Sequence, residues 1–185
     1  MLIVGLGNTL RGDDALGPLV VDELSRHVDL ARVDLVSRAA LGPEIAAELQ
    51  PYDVAIFVDA SVDGEPGEII CRELTPAGSA PATTHILTPS LAVTLAHDLY
   101  GRAPRVFLIT TRGYSFALDD TQLSPPLLAL LPSLISIVVQ ASRLPPPASA
   151  SSSIVVQASR LPPPASVSSS VVVQASRLPP RPPPL

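Results

Sequence analysis

Short apolar runs alternate with helix-like apolar spacings along the first 140 residues of the chain. The runs at Leu2–Leu6, Val54–Val58 and Val106–Thr110 are continuous, which is typical of strands that are buried on both faces of a sheet. Between the runs, apolar residues recur at helical spacing in four segments, residues 15–28, 44–50, 90–100 and 127–137. This alternation predicts an α/β fold, a three-layer α/β/α sandwich with a mostly parallel twisted sheet.

Turn and cap signals refine this prediction. Residues 33–36 are predicted to form the second strand. Glu68–Leu74 follows the turn-like segment DGEPG, so we expect it to be an antiparallel edge strand. Thr88 before Pro89 and Ser124 before Pro125 are typical of a helix N-cap followed by a first-turn proline. These signals predict helices that begin near residues 90 and 127.

The composition changes after residue 140. Residues 137–153 read IVVQASRLPPPASASSS, residues 154–170 repeat this unit with one change, and a third copy begins at residue 171. Three consecutive prolines in a unit exclude a continuous helix or a central strand. We therefore expect an α/β domain over residues 1–140, followed by a disordered Pro/Ser-rich repeat tail over residues 141–185. A proline-rich docking arm is one interpretation of the tail, but we favour a tandem duplication that overran the natural end.

Charge and cysteine content exclude several function classes. Residues 1–140 carry a formal charge of −9 and the tail carries +4, and such an acidic domain argues against nucleic-acid binding. The single cysteine, Cys71, excludes an intramolecular disulfide and a CxxC metal site. The N-terminus does not resemble a signal peptide, and the longest later apolar stretch, Leu127–Val139, is too short to cross a bilayer. We predict a cytoplasmic monomer without a membrane partner.

The segment GLGNTLRGDD, residues 5–14, directly follows the first predicted strand. A dinucleotide-binding loop would need glycine at the sixth position of this segment, where Leu10 stands. The adjacent acids Asp13 and Asp14 would also repel a pyrophosphate and instead favour a cation. Alternatively, one of them caps the following helix, and both roles are compatible if the other acid faces the crevice.

Two more candidate ligands lie at the same predicted edge of the sheet. Asp59 follows the central apolar run, and His85 precedes the helix that begins near residue 90. Each has a plain alternative, since Asp is common in turns and a loop His is often an ordinary surface residue. Together Asp14, Asp59 and His85 offer two oxygens and one nitrogen to a divalent metal. We expect no chemistry from Cys71 and surface positions for His27, His97 and Asp98.

The order of five segments gives the chain a family resemblance. These segments are GLGNTLRGDDALG at 5–17, VDA at 58–60 with GEPGE at 64–68, THILTP at 84–89, GYSF at 113–116 and LSP at 123–125. Over residues 2–137 the chain resembles the hydrogenase maturation proteases, which trim the large subunit of nickel–iron hydrogenases. The sequence departs from the family pattern at two places. Residues 37–42 read SRAALG where many members have an acidic, glycine-rich stretch, and Tyr114 stands where an acid or a small residue is frequent. They leave the choice of hydrogenase open.

The resemblance implies an α/β/α sandwich and an aspartic-type endopeptidase. Such an enzyme removes a C-terminal extension from the hydrogenase large-subunit precursor once nickel has been inserted. The family's metal-contacting and catalytic positions fall on Asp14, Asp59 and His85, and the nickel belongs to the substrate, so no permanent cofactor is expected. The metal could polarise the peptide carbonyl or activate a water, or an Asp could act as general base. The alternatives are a non-enzymatic metal- or partner-binding relative and a dinucleotide-binding domain.

Overall fold

A computed structural model of the chain describes residues 1–27, 32–76 and 87–142, and the backbone of residues 154–155 and 174–175. The strands are β1 (Leu2–Leu6), β2 (Asp34–Arg38), β3 (Val54–Ser61), β4 (Ile69–Leu74), β5 (Arg105–Arg112), β6 (Ile154–Val155) and β7 (Gln174–Ala175). The helices are a 3₁₀ turn (Gly12–Ala15), α1 (Leu16–Leu24), α2 (Ile45–Glu48), α3 (Pro89–Tyr100) and α4 (Pro125–Ser142).

The first five strands form one sheet in the order β2-β1-β3-β5-β4. All neighbouring pairs are parallel except β4 with β5, which is antiparallel. Both the mostly parallel sheet and the antiparallel edge strand were predicted from the sequence, and both are confirmed. Because β1 lies between β2 and β3, the chain leaves β1 toward one side and later returns on the other, which creates a topological switch point.

Helices cover both faces of the sheet, as the predicted α/β/α sandwich requires. On one face, α1 and α4 pack through fully buried residues such as Leu16 and Leu134 against Ile3 and Ile56. On the other face, α2 and α3 pack against the alternate strand positions, including Val4 and Phe57. Adjacent strand residues therefore serve different cores, which is why the strand sequences are apolar without a polar face.

The cap predicted for α3 is present. Thr88 Oγ1 accepts a hydrogen bond from Leu91 N at 3.3 Å, and Pro89 opens the helix. At the other end, Gly101 adopts a left-handed φ of 70° and donates its N–H to His97 O at 2.8 Å. The two signals together fix both ends of this helix.

Two elements extend beyond their predicted bounds. Strand β3 was expected to close at Asp59, but Asp59 lies inside β3, because β5 pairs with it as far as Ser61 opposite Arg112. Helix α4 was expected to end near Ile137 but continues to Ser142, whose Oγ donates to Val139 O at 2.8 Å. The predicted domain boundary at residue 140 therefore falls within the last turn of α4.

Helix α4 is also longer than the apolar stretch expected from the sequence. Its 18 residues have a mean hydropathy of 1.6, so by length and composition alone it meets the requirement for a membrane-spanning helix. Four of its side chains, Leu127, Leu130, Leu134 and Val138, are buried in the core beside α1. Core packing therefore accounts for one face of this apolar helix.

Most of the repeat tail lies outside the described residues, so its disorder stays a prediction. Within the described part, β6 and β7 pair with each other in an antiparallel ladder of two residues each. This ladder is separate from the main sheet, although β6 passes close to the edge strand β4.

Candidate functional site

The candidate site lies at the carboxyl ends of β1, β2 and β3, around the switch point of the sheet. The chain leaves β1 through a loop that turns back into the 3₁₀ helix at Gly12–Ala15. Gly7 has a φ of +131°, and a Cβ atom there would overlap the backbone carbonyl oxygen of Asp14. Gly7 is thus required both for its backbone conformation and for this close approach.

Asp14 is held at the open side of this loop. Its Oδ2 accepts a hydrogen bond from Asn8 N at 2.9 Å, and Asn8 Oδ1 in turn accepts from Leu10 N at 2.9 Å. The side chain is half-buried. The glycine loop therefore fixes the orientation of a carboxylate that keeps acceptor capacity for a further ligand.

Asp13 points the other way and is fully buried. Its Oδ2 accepts hydrogen bonds from Tyr114 N at 2.6 Å, Ser115 N at 3.0 Å and Ser124 Oγ at 2.8 Å. Its Oδ1 accepts a fourth bond from Ser124 N at 2.6 Å. Burial alone would raise the pKa of Asp13, but these hydrogen bonds outweigh it and lower the pKa below its usual value.

The two adjacent acids therefore have different roles, as the sequence suggested, but the structural role is not the predicted one. Neither acid caps its own helix, since no side chain caps the 3₁₀ turn or α1. Asp13 instead joins the glycine loop to the segment Tyr114–Ser115 and to Ser124, the residue before α4. The hydroxyl of Ser124, expected to cap α4, donates to Asp13. Residues so far apart in the sequence give no signal for this contact.

Asp59 lies in β3 just beyond the end of the β1 ladder, which stops at Gly5 opposite Val58. Burial and the nearby negative charge of Asp14 raise the pKa of Asp59 to about 6, against a smaller opposing effect of a backbone hydrogen bond from Ala60. The structure thus brings Asp14 and Asp59 close enough to interact electrostatically. A carboxyl group with this pKa can exchange a proton near neutral pH.

His85, the third predicted ligand, lies outside the described residues, since the structure describes no residue between 77 and 86. Within the described ranges, no group of three His, Cys, Asp or Glu residues could hold a metal ion. By strand alternation, Asp59 faces the side of the sheet that α2 and α3 cover, and His85 precedes α3 in the sequence by four residues. The three-ligand set thus stays a prediction.

A small cavity of about 230 Å³ lies between the glycine loop and the end of β2. It is lined by Gly7, Asn8, Thr9, Pro18, Ser37, Arg38 and Ala39. Arg38 is half-buried, and its Nη2 donates to both carboxylate oxygens of Glu48 in α2 at 2.7 Å. Residues 37–42 depart from the family pattern, but no motif in the sequence singles out Arg38.

The remaining sequence candidates behave as expected. His97 and Asp98 are exposed near the end of α3, and His27 is exposed beside Glu23 after α1. Cys71 is buried in the edge strand β4, where burial, with a smaller effect of Glu73, raises the pKa of its thiol to about 11. A thiol with that pKa is protonated at neutral pH, which disfavours Cys71 as a nucleophile.

Comparison of the fold with solved structures finds clear relatives. The chain is similar to the NiFe hydrogenase maturation protease HycI from Thermococcus kodakarensis, with 26% identity and a TM-score of 0.60, over 77% of this chain and 92% of that chain. It is similar to a hydrogenase 2 maturation peptidase from a Thaumarchaeota archaeon, with 27% identity and a TM-score of 0.57, over 78% of this chain and 98% of that one.

A third similar structure is the hydrogenase maturating endopeptidase HybD from E. coli, with 24% identity and a TM-score of 0.60, over 77% of this chain and 91% of that chain. At this identity the likeness concerns the fold alone. No protein-family model matches the sequence, and a comparison with curated proteins also finds no match.

The five-stranded sandwich with acids at its switch point is thus the scaffold of a peptidase, since the relatives above 25% identity are named as a protease and a peptidase. More narrowly, both relatives are hydrogenase maturation enzymes, so the fold comparison supports the family resemblance seen in the sequence. The likeness covers a little over three quarters of the chain and nearly the whole of each relative.

Proposed function

We propose that the chain is an endopeptidase that removes the C-terminal extension of a nickel–iron hydrogenase large-subunit precursor after nickel insertion. In this proposal the nickel of the precursor is the recognition handle, and Asp14, Asp59 and His85 contact it. The similarity to proteases of hydrogenase maturation supports the reaction class. The proposal also includes a cytoplasmic location and a monomeric enzyme without a permanent cofactor.

The observation that carries the proposal is the pair of carboxylates at the switch point. In the described part of the chain, no Arg or His side chain forms an ion pair with Asp14 or Asp59. Burial and the negative charge of Asp14 both disfavour the ionised form of Asp59 and raise its pKa. No positively charged side chain in the described part of the chain offsets these two effects. Such a site gains free energy when it binds a proton or a cation.

The donor set suits nickel carried by the substrate. Carboxylate oxygens with one imidazole nitrogen provide ligands for a borderline divalent metal, and a set without thiolate favours transient over structural binding. Asp13 is not available as a ligand, because four hydrogen bonds already occupy its oxygens. The assignment of Asp14 rather than Asp13 to the metal therefore rests on the direction in which each side chain points.

The chain's own residues can supply the proton transfer that peptide hydrolysis requires. In the metal-free site the pKa of Asp59 is about 6, so Asp59 is mostly ionised at pH 7, and a carboxylate oxygen that does not contact the nickel can accept a proton from an attacking water. Asp14, oriented by Asn8 N, can hold the reacting group in place beside it. The nickel of the precursor would add its positive charge to polarise the scissile carbonyl.

The test is a cleavage assay with purified nickel-loaded large-subunit precursor. We expect Asp14→Asn, Asp59→Asn and His85→Ala to lose most of the cleavage rate while keeping the circular dichroism spectrum of the wild type. Metal-free precursor should be cut much more slowly than loaded precursor by the wild-type enzyme. Normal rates in any two of the three variants would refute the site, and equal rates on both precursors would refute the role of nickel.

A further inference from the structure

Arg38 occupies an unusual place beside the candidate site. It is the last residue of β2 and lies opposite Leu6 of β1. The ladder between β1 and β3 ends with Gly5 opposite Val58, so extending it by one residue places Leu6 opposite Asp59 of β3. Arg38, Leu6 and Asp59 thus lie in one row across three neighbouring strands. By strand alternation their side chains share the face of the sheet that α2 and α3 cover.

The row fixes the separation of the two charged residues. Two interstrand steps of about 4.8 Å place the backbones of Arg38 and Asp59 roughly 10 Å apart. An extended peptide covers this distance in about three residues, at roughly 3.3–3.6 Å per residue. A peptide bond held at Asp59 would therefore bring a residue about three positions away to the Arg38 cavity.

In the part of the chain that the structure describes, only one nitrogen of the Arg38 guanidinium, Nη2, donates hydrogen bonds. Both of its hydrogen bonds to Glu48 come from Nη2, so Nη1 and Nε lie outside this ion pair. Among the described residues, Arg38 Nε is buried and has no hydrogen-bond partner. A buried donor without a partner costs free energy, and the fork of a guanidinium matches the two oxygens of a carboxylate. The cavity of about 230 Å³ that Arg38 lines has room for such a group.

We infer that Arg38 is a specificity residue that binds a carboxylate of the substrate peptide about three residues from the scissile bond. The inference rests on the proposed function and adds a substrate preference to it. The domain is acidic overall, with a formal charge of −9 over residues 1–140, so an acidic peptide gains no general attraction. Any preference for a carboxylate must then arise locally at Arg38. The carboxylate could belong to an Asp or Glu side chain or to a free C-terminus.

The experiment measures peptide binding first, because binding does not depend on cleavage. Fluorescein-labelled, C-terminally amidated hexapeptides carrying a single Asp or Asn at each position are titrated with the wild-type protein. A neutral hexapeptide with a free C-terminus forms a separate arm, which distinguishes a side-chain carboxylate from a terminal one. We expect one Asp position, or the free acid, to bind about tenfold more tightly than its neutral counterpart.

Three variants separate recognition from a structural role of Arg38. Arg38→Gln should abolish the tenfold preference, Arg38→Lys should restore part of it, and Glu48→Gln should retain it because the guanidinium remains. If Glu48→Gln loses the preference as fully as Arg38→Gln, the residue acts only through its ion pair and the inference is wrong. Equal binding of acidic and neutral peptides by the wild type would also overturn it.

Cleavage of the precursor provides the second readout. On nickel-loaded precursor, Arg38→Gln should raise KM about tenfold with kcat unchanged. Replacing the acid of the precursor at the matching position should raise KM for the wild type but not for Arg38→Gln. A fall in kcat at unchanged KM would contradict a specificity role. If the wild type does not cut the precursor at all, the proposed function fails, whereas the peptide titration still decides on Arg38.

Discussion

The two sides of the glycine loop carry adjacent acids in opposite electrostatic situations. On the inner side, Asp13 is fully buried and accepts four hydrogen bonds, which lower its pKa despite burial. On the outer side, Asp14 faces Asp59, and burial together with the charge of Asp14 raises the pKa of Asp59 to about 6. Neighbouring positions of one 3₁₀ turn thus hold a carboxylate whose oxygens are hydrogen-bonded and a carboxylate that, among the described residues, has no positively charged partner.

The difference shows how a single loop can serve both folding and chemistry. A buried carboxylate whose acceptor sites are filled stabilises the structure and has nothing to offer a ligand. A pair of carboxylates without a counter-charge costs stability and gains free energy when a cation or proton arrives. We therefore expect substitutions on the inner side to change stability and those on the outer side to change activity.

The largest expected effect is on the outer side. Asp59→Asn keeps the shape of the side chain but removes the group that can accept a proton or contact a metal, so cleavage of loaded precursor should fall on the order of 10³-fold. The matched control is Asp63→Asn, an exposed acid just beyond β3, which should keep the wild-type rate. Single-turnover cleavage of purified precursor measures both variants. A less than fivefold loss in Asp59→Asn would remove this acid from the chemistry.

On the inner side, Asp13→Ala should lower the free energy of unfolding by about 3 kcal/mol, because hydrogen bonds to a buried carboxylate are strong and their donors would be left unpaired. The backbone N–H groups of Tyr114, Ser115 and Ser124 all lose their acceptor. Urea denaturation gives the difference, with Asp119→Asn as control, since Asp119 is exposed and its φ of 65° suits Asn. An Asp13→Ala protein as stable as the wild type would contradict the structural role.

The sequence predicted the layers of the fold because they depend on local signals. The apolar runs of β1, β3 and β5 mark buried strands, and Thr88 with Pro89 marks the start of α3. The antiparallel edge strand β4 followed from the turn before it. What local signals could not give is the length of β3, because its end at Ser61 depends on pairing with β5, which lies far along the chain.

The candidate site was predictable only in part for a similar reason. Asp14 and Asp59 were named from their places after strands, and parallel strands bring such places together. The contacts of Asp13 with Tyr114 and Ser124 depend on how the 113–124 segment folds over the loop, which no spacing reveals. Arg38 was missed because its interest lies in a cavity and an unpaired nitrogen rather than in a motif. The role of His85 stays a prediction.

The next effect concerns pH. The pKa of Asp59 in the folded protein lies above its usual value, so protonation of Asp59 stabilises the folded state at low pH. This stabilisation is lost as the pH rises through about 6. Asp59→Asn removes this dependence, so its stability relative to the wild type should increase by about 1–2 kcal/mol between pH 5 and pH 8. Urea denaturation at both pH values tests it. A difference that does not change with pH would mean that Asp59 titrates normally.

Asp14→Asn separates the two causes of that shift. Carbon-13 NMR of the Asp59 carboxyl should show its titration midpoint fall from about 6 toward 3.8 without reaching it, because burial is the larger cause and remains. Asp13 gives the opposite dependence, since its lowered pKa contributes stability that is lost as the pH falls below its usual value. An unchanged midpoint in Asp14→Asn would show that the two acids do not interact.

The smallest effect is expected from removal of the repeat tail. A protein ending at Ser142 keeps all of α4, the core residues Leu134 and Val138, and both acids of the site. It loses β6 and β7, which pair only with each other in the described part of the chain and contribute no hydrogen bond to the main sheet. We expect its free energy of unfolding to change by less than about 0.5 kcal/mol, with cleavage unchanged.

The matched comparison is a protein that ends at Ser133, inside α4, and therefore lacks Leu134 and Val138. Because both side chains are fully buried beside α1, their loss should destabilise the domain by several times the amount expected for the longer protein, about 4 kcal/mol or more. Thermal melts of the two proteins decide the matter. Equal losses of melting temperature would show that the tail packs on the domain, through β6 beside β4, and that the boundary between domain and repeat lies beyond α4.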